Sequence, residues 1–336
     1  MSPEIFVKRS LAAKSVVRAE VIQSLWSGYG EIVRYQVSGA QDNLTSVIVK
    51  SIRLDQVMAH PRGWQSDLSH QRKQISYQVE ARWYRHWAPR LLDAARVAEC
   101  YAVQESDTEI LLLLEDLDTS GFSHRHHQLT WSACLPVLDW LASFHSTFIS
   151  TGMANNDERV DDKGLWARGS YWHLETRPDE WQAMAEGELK RQASVIDETL
   201  RKANFQTLIH GDAKVANFCF SASGSEVAAV DFQYTGQGIG VQDVAYFLGS
   251  CLEEVSLTDH FAFLLEHYFA ELTRCLVAQG ESPDFASKVE AEWRSLFELA
   301  WADFHRFILG WSPDHIKNTP FSQMMTERAL ASLRTS

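Results

Sequence analysis

Three polar residues with a regular spacing are the strongest candidates for chemistry in this sequence. Asp212 is followed five residues later by Asn217, and fourteen residues after that comes Asp231, which ends an apolar stretch. The chain between them indicates a β-hairpin centred on Gly224, so a regular hairpin would bring Asn217 and Asp231 side by side at its open end. A carboxylate beside an amide oxygen suits Mg²⁺, which takes one or two protein ligands and completes its shell with water and substrate phosphates. The spacing therefore predicts Asn217 and Asp231 as metal ligands.

Asp212 lies on the loop that enters this hairpin, and it can point into the same space without binding the metal. A base that accepts the proton of a substrate hydroxyl must lie in such a position. A single Asp or Asn in a turn usually bonds its own backbone, but that explanation does not account for the joint spacing of three such residues.

Two charged residues in the first third of the chain belong to faces that should be buried. Lys50 alternates with isoleucines on one face of a predicted strand. Glu80 shares a helical stripe with Tyr77 and Tyr84. Because buried charges are tolerated when they are paired, we predict an ion pair between Lys50 and Glu80, with Lys50 supplying positive charge to a phosphate site. The alternatives are an edge-strand lysine and a glutamate that bonds a neighbouring arginine.

The elements that must position these residues change character once along the chain. Up to about residue 117 the sequence favours strands with one helix, and beyond it the sequence favours helices interrupted by the hairpin. This pattern predicts an α+β protein of two lobes, 1–117 and 118–336, joined near 115–118 with a cleft between them. The predicted strands are 31–37, 45–52, 101–104 and 110–114, and the predicted helices are 75–87, 131–148, 180–202, 241–254, 258–279 and 283–309.

Composition narrows the class of protein. The 336 residues are 45% hydrophobic and 22% charged, which is typical of a globular protein. No apolar run reaches the roughly 18 residues of a membrane span, and five scattered cysteines without a C-x-x-C pair indicate reduced thiols, so we expect a cytoplasmic protein. The net charge of −13 arises entirely after residue 117. Such an acidic second part argues against nucleic acid as a partner and is compatible with a cationic or neutral small molecule.

The motifs resemble those of a known group of enzymes. Lys50, Glu80, Asp212, Asn217 and Asp231 together resemble the catalytic set of the protein-kinase-like fold. The sequences H-G-D at 210–212 and D-F-Q at 231–233 are similar to those of the aminoglycoside phosphotransferase and choline kinase superfamily. Within it, E-A-R-W-Y at 80–84, L-L-E-D-L at 113–117 and H-G-D-A-K-V-A-N-F-C-F at 210–220 look most like the ecdysteroid kinase-like branch.

This resemblance implies a role for each matching residue. Lys50, fixed by Glu80, would hold the α- and β-phosphates of ATP. Asp212 would orient or deprotonate the substrate hydroxyl, and Asn217 and Asp231 would bind Mg²⁺. The implied protein has a β-rich first lobe with one helix and a mainly helical second lobe.

Further positions follow from the same resemblance. Lys214 would lie near the phosphoryl group that is transferred, and Asp243 would brace the catalytic loop from the start of a helix, where it is also a plain first-turn acid. The hinge between the lobes would meet the adenine edge through the backbone of Glu115, Asp116 and Leu117.

The sequence departs from the kinase pattern at two places. Where kinases carry a glycine-rich phosphate loop, this chain offers only Ser27, Gly28, Tyr29 and Gly30, which is also an ordinary tight turn. Asp243 follows Asp231 by only twelve positions, which is too short for an activation loop that presents a peptide. A small-molecule acceptor is therefore favoured over a protein.

The expected activity is transfer of the γ-phosphate of ATP, with Mg²⁺, to a hydroxyl of a small molecule by a monomer or homodimer. The ecdysteroid kinase-like resemblance and the aromatic content favour a sterol-like alcohol, whereas the acidic second lobe favours an amine such as an amino alcohol or an aminoglycoside. One alternative is a catalytically silent nucleotide-binding scaffold, which should lack a metal ligand or the base. Another is a metal-dependent phosphohydrolase in which His210, Asp212 and Asp231 bind two metals.

Overall fold

A computed structural model describes residues 2–25, 28–55, 67–91, 94–151 and 164–335. Its first lobe is an antiparallel sheet of five strands: β1 (Ser15–Ser24), β2 (Gly30–Ser38), β3 (Ser46–Arg53), β4 (Cys100–Glu105) and β5 (Glu109–Glu115). The strand order is β1-β2-β3-β5-β4. β3 and β5 lie in the middle because they are rich in valine, isoleucine and leucine and are buried along most of their length. β1 is an exposed edge strand.

Two helices cover the two faces of this sheet, although we predicted one. α1 (Pro3–Ser10) packs Phe6 and Val7 on the outer face. This helix escaped the sequence analysis because eight residues with two buried side chains give too short a pattern to reveal helical spacing. α2 (Asp67–Arg82) lies on the inner face and faces the second lobe.

The helix predicted at 75–87 is present, but it begins earlier and its last turn is a π turn. α2 starts at Asp67, and the chain continues from Arg82 into a π turn, Trp83–Trp87. The ring of Trp83 stacks on Phe232 of the second lobe with centroids 4.6 Å apart. The end of this helical segment is therefore anchored to the chain that follows Asp231.

The second lobe is mainly helical, as expected, with two differences from the predicted elements. The predicted helix 180–202 is two helices, because Gly187 lies in an extended conformation before the second one. A last helix, for which we made no prediction, closes the chain. The helices are α3 (Leu135–Phe148), α4 (Pro178–Ala183), α5 (Glu188–Arg201), α6 (Gly240–Cys251), α7 (Glu254–Ala278), α8 (Pro283–Trp311) and α9 (Pro320–Thr335).

Short strands position the catalytic segment within this lobe. They are β6 (Ser150–Thr151), β7 (Phe205–Ile209), β8 (Phe218–Phe220), β9 (Val227–Ala229) and β10 (Gly236–Gly238). β10 and β6 flank β7, and β8 and β9 form the predicted hairpin. The segment containing β10 also bonds the chain at 166–169 on its other side. The residues between Asp231 and α6 are therefore tied down on both edges.

One hydrophobic cluster runs through both lobes. It joins inner-face residues of the sheet, such as Ile52 and Leu112, to Trp140 and Phe232 of the second lobe. The predicted α+β architecture of two lobes is thus confirmed. Among the described helices, none combines the length and the apolar character that crossing a bilayer requires.

Candidate active site

The predicted ion pair between Lys50 of β3 and Glu80 of α2 is present. Lys50 Nζ donates to Glu80 Oε2 at 2.6 Å, and both side chains are at most 5% exposed. The same ammonium lies 3.7 Å from Asp231 Oδ1. Burial disfavours a charged lysine, but the carboxylates of Glu80 and Asp231 outweigh it and raise the pKa of Lys50 above its ordinary value. Lys50 is therefore a buried, charged donor at the centre of the molecule.

The loop that carries Asp212 follows β7, and Asp243 holds it through hydrogen bonds to the loop backbone. Asp243, in the first turn of α6, accepts from the backbone N–H of His210 at 2.6 Å and from that of Gly211 at 2.9 Å. Gly211 has φ of 76°, and a Cβ at this position would lie 2.1 Å from the carbonyl oxygen of Tyr234. Only glycine fits there. The bracing position expected for Asp243 is thus the one that the structure shows.

Asp212 has one carboxylate oxygen bound and one free. Lys214 Nζ donates to Asp212 Oδ2 at 2.9 Å, and Asn217 Nδ2 donates to the same oxygen at 3.2 Å and to the Asp212 carbonyl at 2.7 Å. Asp212 Oδ1 is buried and has no hydrogen-bond partner among the described residues. Burial opposes the charge of Lys214, but Asp212 and Asp231 raise the pKa of this lysine.

The hairpin register differs from the prediction by one residue. We expected Asn217 and Asp231 to face each other, but Val230 donates its backbone N–H to the carbonyl of Asn217 at 3.0 Å, so Asp231 lies one residue beyond that pair. The reason is the turn. Ser221 pairs with Glu226, which leaves a loop of four residues whose centre falls between two residues and not on the glycine.

A left-handed backbone conformation places Asp231 in the cleft. Its φ is 71°, which aspartate tolerates better than most residues. Asp231 Oδ1 is buried without a hydrogen-bond partner among the described residues. Burial opposes ionisation, but the charges of Lys50, Lys214 and Lys73 lower the pKa of Asp231 below its ordinary value. The site therefore holds an ionised carboxylate with an oxygen available for a ligand.

These donors fit a hard divalent cation. Asp231 Oδ1 and Asp212 Oδ1 are both buried and unpartnered within the described part of the chain. Asn217 uses its amide NH₂ group on Asp212, so its amide oxygen is not engaged in that bond. One carboxylate and one amide oxygen are a ligand set that Mg²⁺ accepts. Across the described residues there is no group of three or more His, Cys, Asp or Glu side chains arranged to hold a metal.

These residues line a cleft of about 630 Å³. Its walls come from the sheet, from α2, from the link between the lobes and from the catalytic loop. The sequence-predicted residues among its walls are Lys50, Glu80, Glu115, Asp116, Leu117, Asp212, Lys214, Asn217 and Asp231.

The predicted hinge lines the cleft, but its acidic side chains are engaged elsewhere. Arg96 pairs with Glu115 at 2.5 Å, and Arg34 Nε donates to Asp116 Oδ2 at 2.8 Å. Leu117 is buried in the hydrophobic cluster that joins the lobes. The backbone of Glu115 and Asp116 is only partly available to a ligand, since the Glu115 N–H donates to the Glu99 carbonyl at 2.8 Å and the Asp116 carbonyl accepts from the Thr119 N–H at 3.0 Å.

The candidate phosphate loop is not brought to the cleft. Gly28, Tyr29 and Gly30 are absent from the described residues that line it. Gly28 donates its N–H to the carbonyl of Leu25 at 3.1 Å, and Tyr29 is buried. Ser27 lies outside the described residues. The role of this segment in binding phosphate stays a prediction.

The sequence analysis missed two parts of the cleft wall. Tyr171, Tyr234 and Tyr246 form an aromatic wall beside the catalytic loop, and no local pattern in the sequence marks them. Lys73 of α2 also lines the cleft. It precedes Glu80 by seven residues and so shares its helix face, which is the signal that could have found it.

The chain belongs to the ecdysteroid kinase-like family, whose model matches residues 32–163 and 167–281. This finding confirms the resemblance based on the motifs at 80–84, 113–117 and 210–220. The five-stranded lobe joined to a mainly helical lobe is the protein-kinase-like fold.

Solved structures with the same general architecture are distant in sequence. Amicoumacin kinase hAmiN, in complex with AMP-PNP, Ca²⁺ and Ami, is 11% identical, with 98% of this chain and 92% of that chain covered and a TM-score of 0.47. An ethanolamine kinase of Plasmodium vivax is 9% identical, with 94% and 82% covered and a TM-score of 0.47. No curated protein sequence matches this chain.

Proposed function

We propose that the protein is an ATP-dependent phosphotransferase that moves the γ-phosphate of ATP to a hydroxyl of a small molecule. One observation carries this proposal: a charged lysine and two carboxylates, each with an oxygen that accepts no hydrogen bond among the described residues, meet in a single cleft. They are Lys50, Asp212 and Asp231. Membership of the ecdysteroid kinase-like family supports the same reaction class.

The nucleotide would be held by groups that the fold already fixes. Lys50, oriented by Glu80, donates to the phosphates, and the backbone of the link at 115–117 meets the base. Asn217 and Asp231 would hold Mg²⁺, which would offset the negative charge of the phosphates. An ionised Asp231 would strengthen the contact to the metal.

The transfer step would take place at the free oxygen of Asp212. The acceptor hydroxyl donates to Asp212 Oδ1, which aligns its oxygen with the γ-phosphorus. As the new oxygen–phosphorus bond forms and the bond to ADP breaks, Asp212 takes the hydroxyl proton. Lys214, bound to the other oxygen of Asp212, offsets negative charge beside the transferred group.

The cleft favours a sterol-like alcohol over an amine as acceptor. The aromatic wall of Tyr171, Tyr234 and Tyr246 suits an apolar or flat molecule. The other described acids of the cleft, Glu80, Glu115, Asp116 and Asp118, are paired with lysine or arginine. Asp212 and Asp231 lie beside Lys214 and Lys50, so each described acid of the cleft already has a cation near it.

The proposal includes a cytoplasmic location for a monomer or homodimer. All five cysteines are free thiols, which agrees with a reducing compartment. Magnesium-bound ATP is available there as the phosphate donor.

A thermal-shift titration with ATP, with and without Mg²⁺, tests the proposal, because a ligand that binds only the folded state raises the melting temperature. We expect a Mg²⁺-dependent rise that is lost in Asp231→Ala, followed by ADP release when alcohols of the sterol class are added. No shift at millimolar Mg·ATP, or a shift that Asp231→Ala leaves unchanged, would count against the proposal.

A further inference from the structure

Lys73 brings a further positive charge to the cleft. Its Nζ donates to Gln233 Oε1 at 2.8 Å and lies 4.7 Å from the centre of the Tyr77 ring. Within the described ranges, no carboxylate lies at ion-pair distance from it. The other cations of the site are committed, since Lys50 is paired with Glu80 and Lys214 with Asp212.

Gln233 holds this lysine in place without cancelling its charge. Its side-chain oxygen also accepts from Ser76 Oγ at 3.3 Å, and its carbonyl accepts from Trp166 Nε1 at 2.8 Å. The side chain is buried and contacts α2 one turn apart, at Lys73 and Ser76. An amide oxygen orients an ammonium group and leaves it charged, whereas a carboxylate at this position would neutralise it.

Lys73 lies in the same cleft as Lys50 and comes from the same helix as Glu80. Lys73 lies two helical turns, about 10 Å, from Glu80 and hence from the end of α2 that fixes Lys50. Its partner Gln233 comes two residues after Asp231 and directly before Tyr234 of the aromatic wall. Lys73 therefore lies near the aromatic wall, and its ammonium and that of Lys50 lie 4.7 Å and 5.8 Å from the centre of the same Tyr77 ring.

We infer that Lys73 is a second phosphate-binding lysine, contacting the terminal phosphate of ATP, and that Gln233 is its positioning residue. This inference rests on the proposed function, because it assigns a further contact to the same nucleotide.

Calorimetric titration of the full-length protein with Mg·ATP and with Mg·ADP tests this assignment. Lys73→Met is expected to weaken Mg·ATP binding about tenfold and to change Mg·ADP binding less than about twofold. Gln233→Glu should have the same selective effect, because its carboxylate would pair with Lys73. Lys73→Arg should retain most of the affinity. The matched control is Lys288→Met, which removes an exposed lysine of α8 that pairs with Asp284.

The outcomes separate this inference from the proposed function. If the wild-type protein binds no Mg·ATP, both fail. If it binds Mg·ATP and Lys73→Met keeps the wild-type ratio of ATP to ADP affinity, the role of Lys73 is wrong while the kinase proposal stands. If Lys73→Met lowers the ligand-free melting temperature, the Gln233→Glu variant provides the test. A wild-type ratio of ATP to ADP affinity in Gln233→Glu overturns the inference, and a selective loss of ATP affinity supports it.

Discussion

The two oxygens of Asp212 have different environments, and this difference sets what a substitution should do. Oδ2 accepts from Lys214 and Asn217, whereas Oδ1 is buried and unpartnered in the described structure. The bonds to Oδ2 fix the side chain, and in the proposed reaction Oδ1 accepts from the acceptor hydroxyl. No contact from Asp212 is needed to hold the triphosphate.

Asp212→Asn is therefore expected to lower kcat at least about a hundredfold and to leave Mg·ATP affinity within about threefold of wild type. An amide keeps the shape of the side chain but cannot accept the hydroxyl proton. ADP release measures the first effect, and calorimetric titration measures the second. Asp284→Asn, an exposed substitution on α8, is the control. Loss of ATP binding in Asp212→Asn would show that this residue serves the nucleotide and not the acceptor.

Lys317, which contacts Tyr246 of the aromatic wall, makes the stability of the protein testable as a function of pH. Its ammonium lies 4.8 Å from the centre of the Tyr246 ring and 5.2 Å from that of Phe304. Burial lowers the pKa of Lys317 to about 8. Since the unfolded chain has the ordinary lysine pKa of about 10.4, the unfolded state binds more protons between these values, and stability should rise with pH over that window.

Lys317→Met is expected to stabilise the protein at pH 7 by on the order of 1 kcal/mol, because it removes a charge that is costly to bury. This advantage should shrink as the pH rises from about 8 toward 10, where the wild-type lysine loses its charge. Urea unfolding at several pH values measures it, with Lys288→Met as the exposed control. A pH-independent difference between the two proteins would contradict the lowered pKa.

At the scale of elements, Gly211 shows how tightly the catalytic loop is packed. Gly211 and Gly224 have nearly the same backbone conformation, with φ of 76° and 72°. Only at Gly211 would a Cβ collide with backbone, since at Gly224 no atom lies within 4 Å. The two glycines are therefore a matched pair, because their φ angles are nearly equal and the packing around them differs.

We expect Gly224→Ala to reduce the free energy of unfolding by about 1 kcal/mol, the cost of a left-handed alanine. Gly211→Ala should cost at least about 2 kcal/mol more and abolish ADP release, because the loop must move away from Tyr234. Urea unfolding and the ADP assay check both. Equal losses of stability in the two variants would mean that the loop carrying Gly211 shifts to accommodate a Cβ at little energetic cost.

The elements and the site could be predicted from the sequence to different extents. Lys50, Glu80 and Asp243 were placed correctly because a charge on an apolar face, or at a helix start, must find a partner. The offset between Asn217 and Asp231 could not be predicted, because the number of residues in the turn sets the strand register and depends on the conformation of the turn. Tyr171 and Tyr234 come from separate loops, so only the tertiary fold unites them.

At the scale of the whole molecule, the shared hydrophobic cluster makes the two lobes interdependent. Trp83 of the first lobe stacks on Phe232, which also packs against Trp140 and Phe144 of α3. The inner face of the five-stranded sheet contacts α2 and lines the cleft, and the hydrophobic cluster connects it to the second lobe. The division at 117 marks a change of architecture, and we expect no independent folding of residues 1–117.

Equilibrium unfolding in urea should therefore show a single transition. Tryptophan fluorescence and far-UV circular dichroism are expected to give the same midpoint, because the core cannot open in one lobe alone. Trp83→Ala should lower the common midpoint without separating the two probes. Two resolved transitions in the wild-type protein would contradict a shared core.

The strand β10 has a consequence for how a cell would control this protein. In protein kinases, the chain between the metal-binding aspartate and the following helix carries the loop that phosphorylation switches. Here the same stretch is used for a strand that is bonded to β7 on one edge and to residues 166–169 on the other. Under the proposed function, the enzyme has no loop of this kind for phosphorylation to switch at that position. Its output would then follow the rates at which the protein is made and degraded and the rate at which its acceptor arrives.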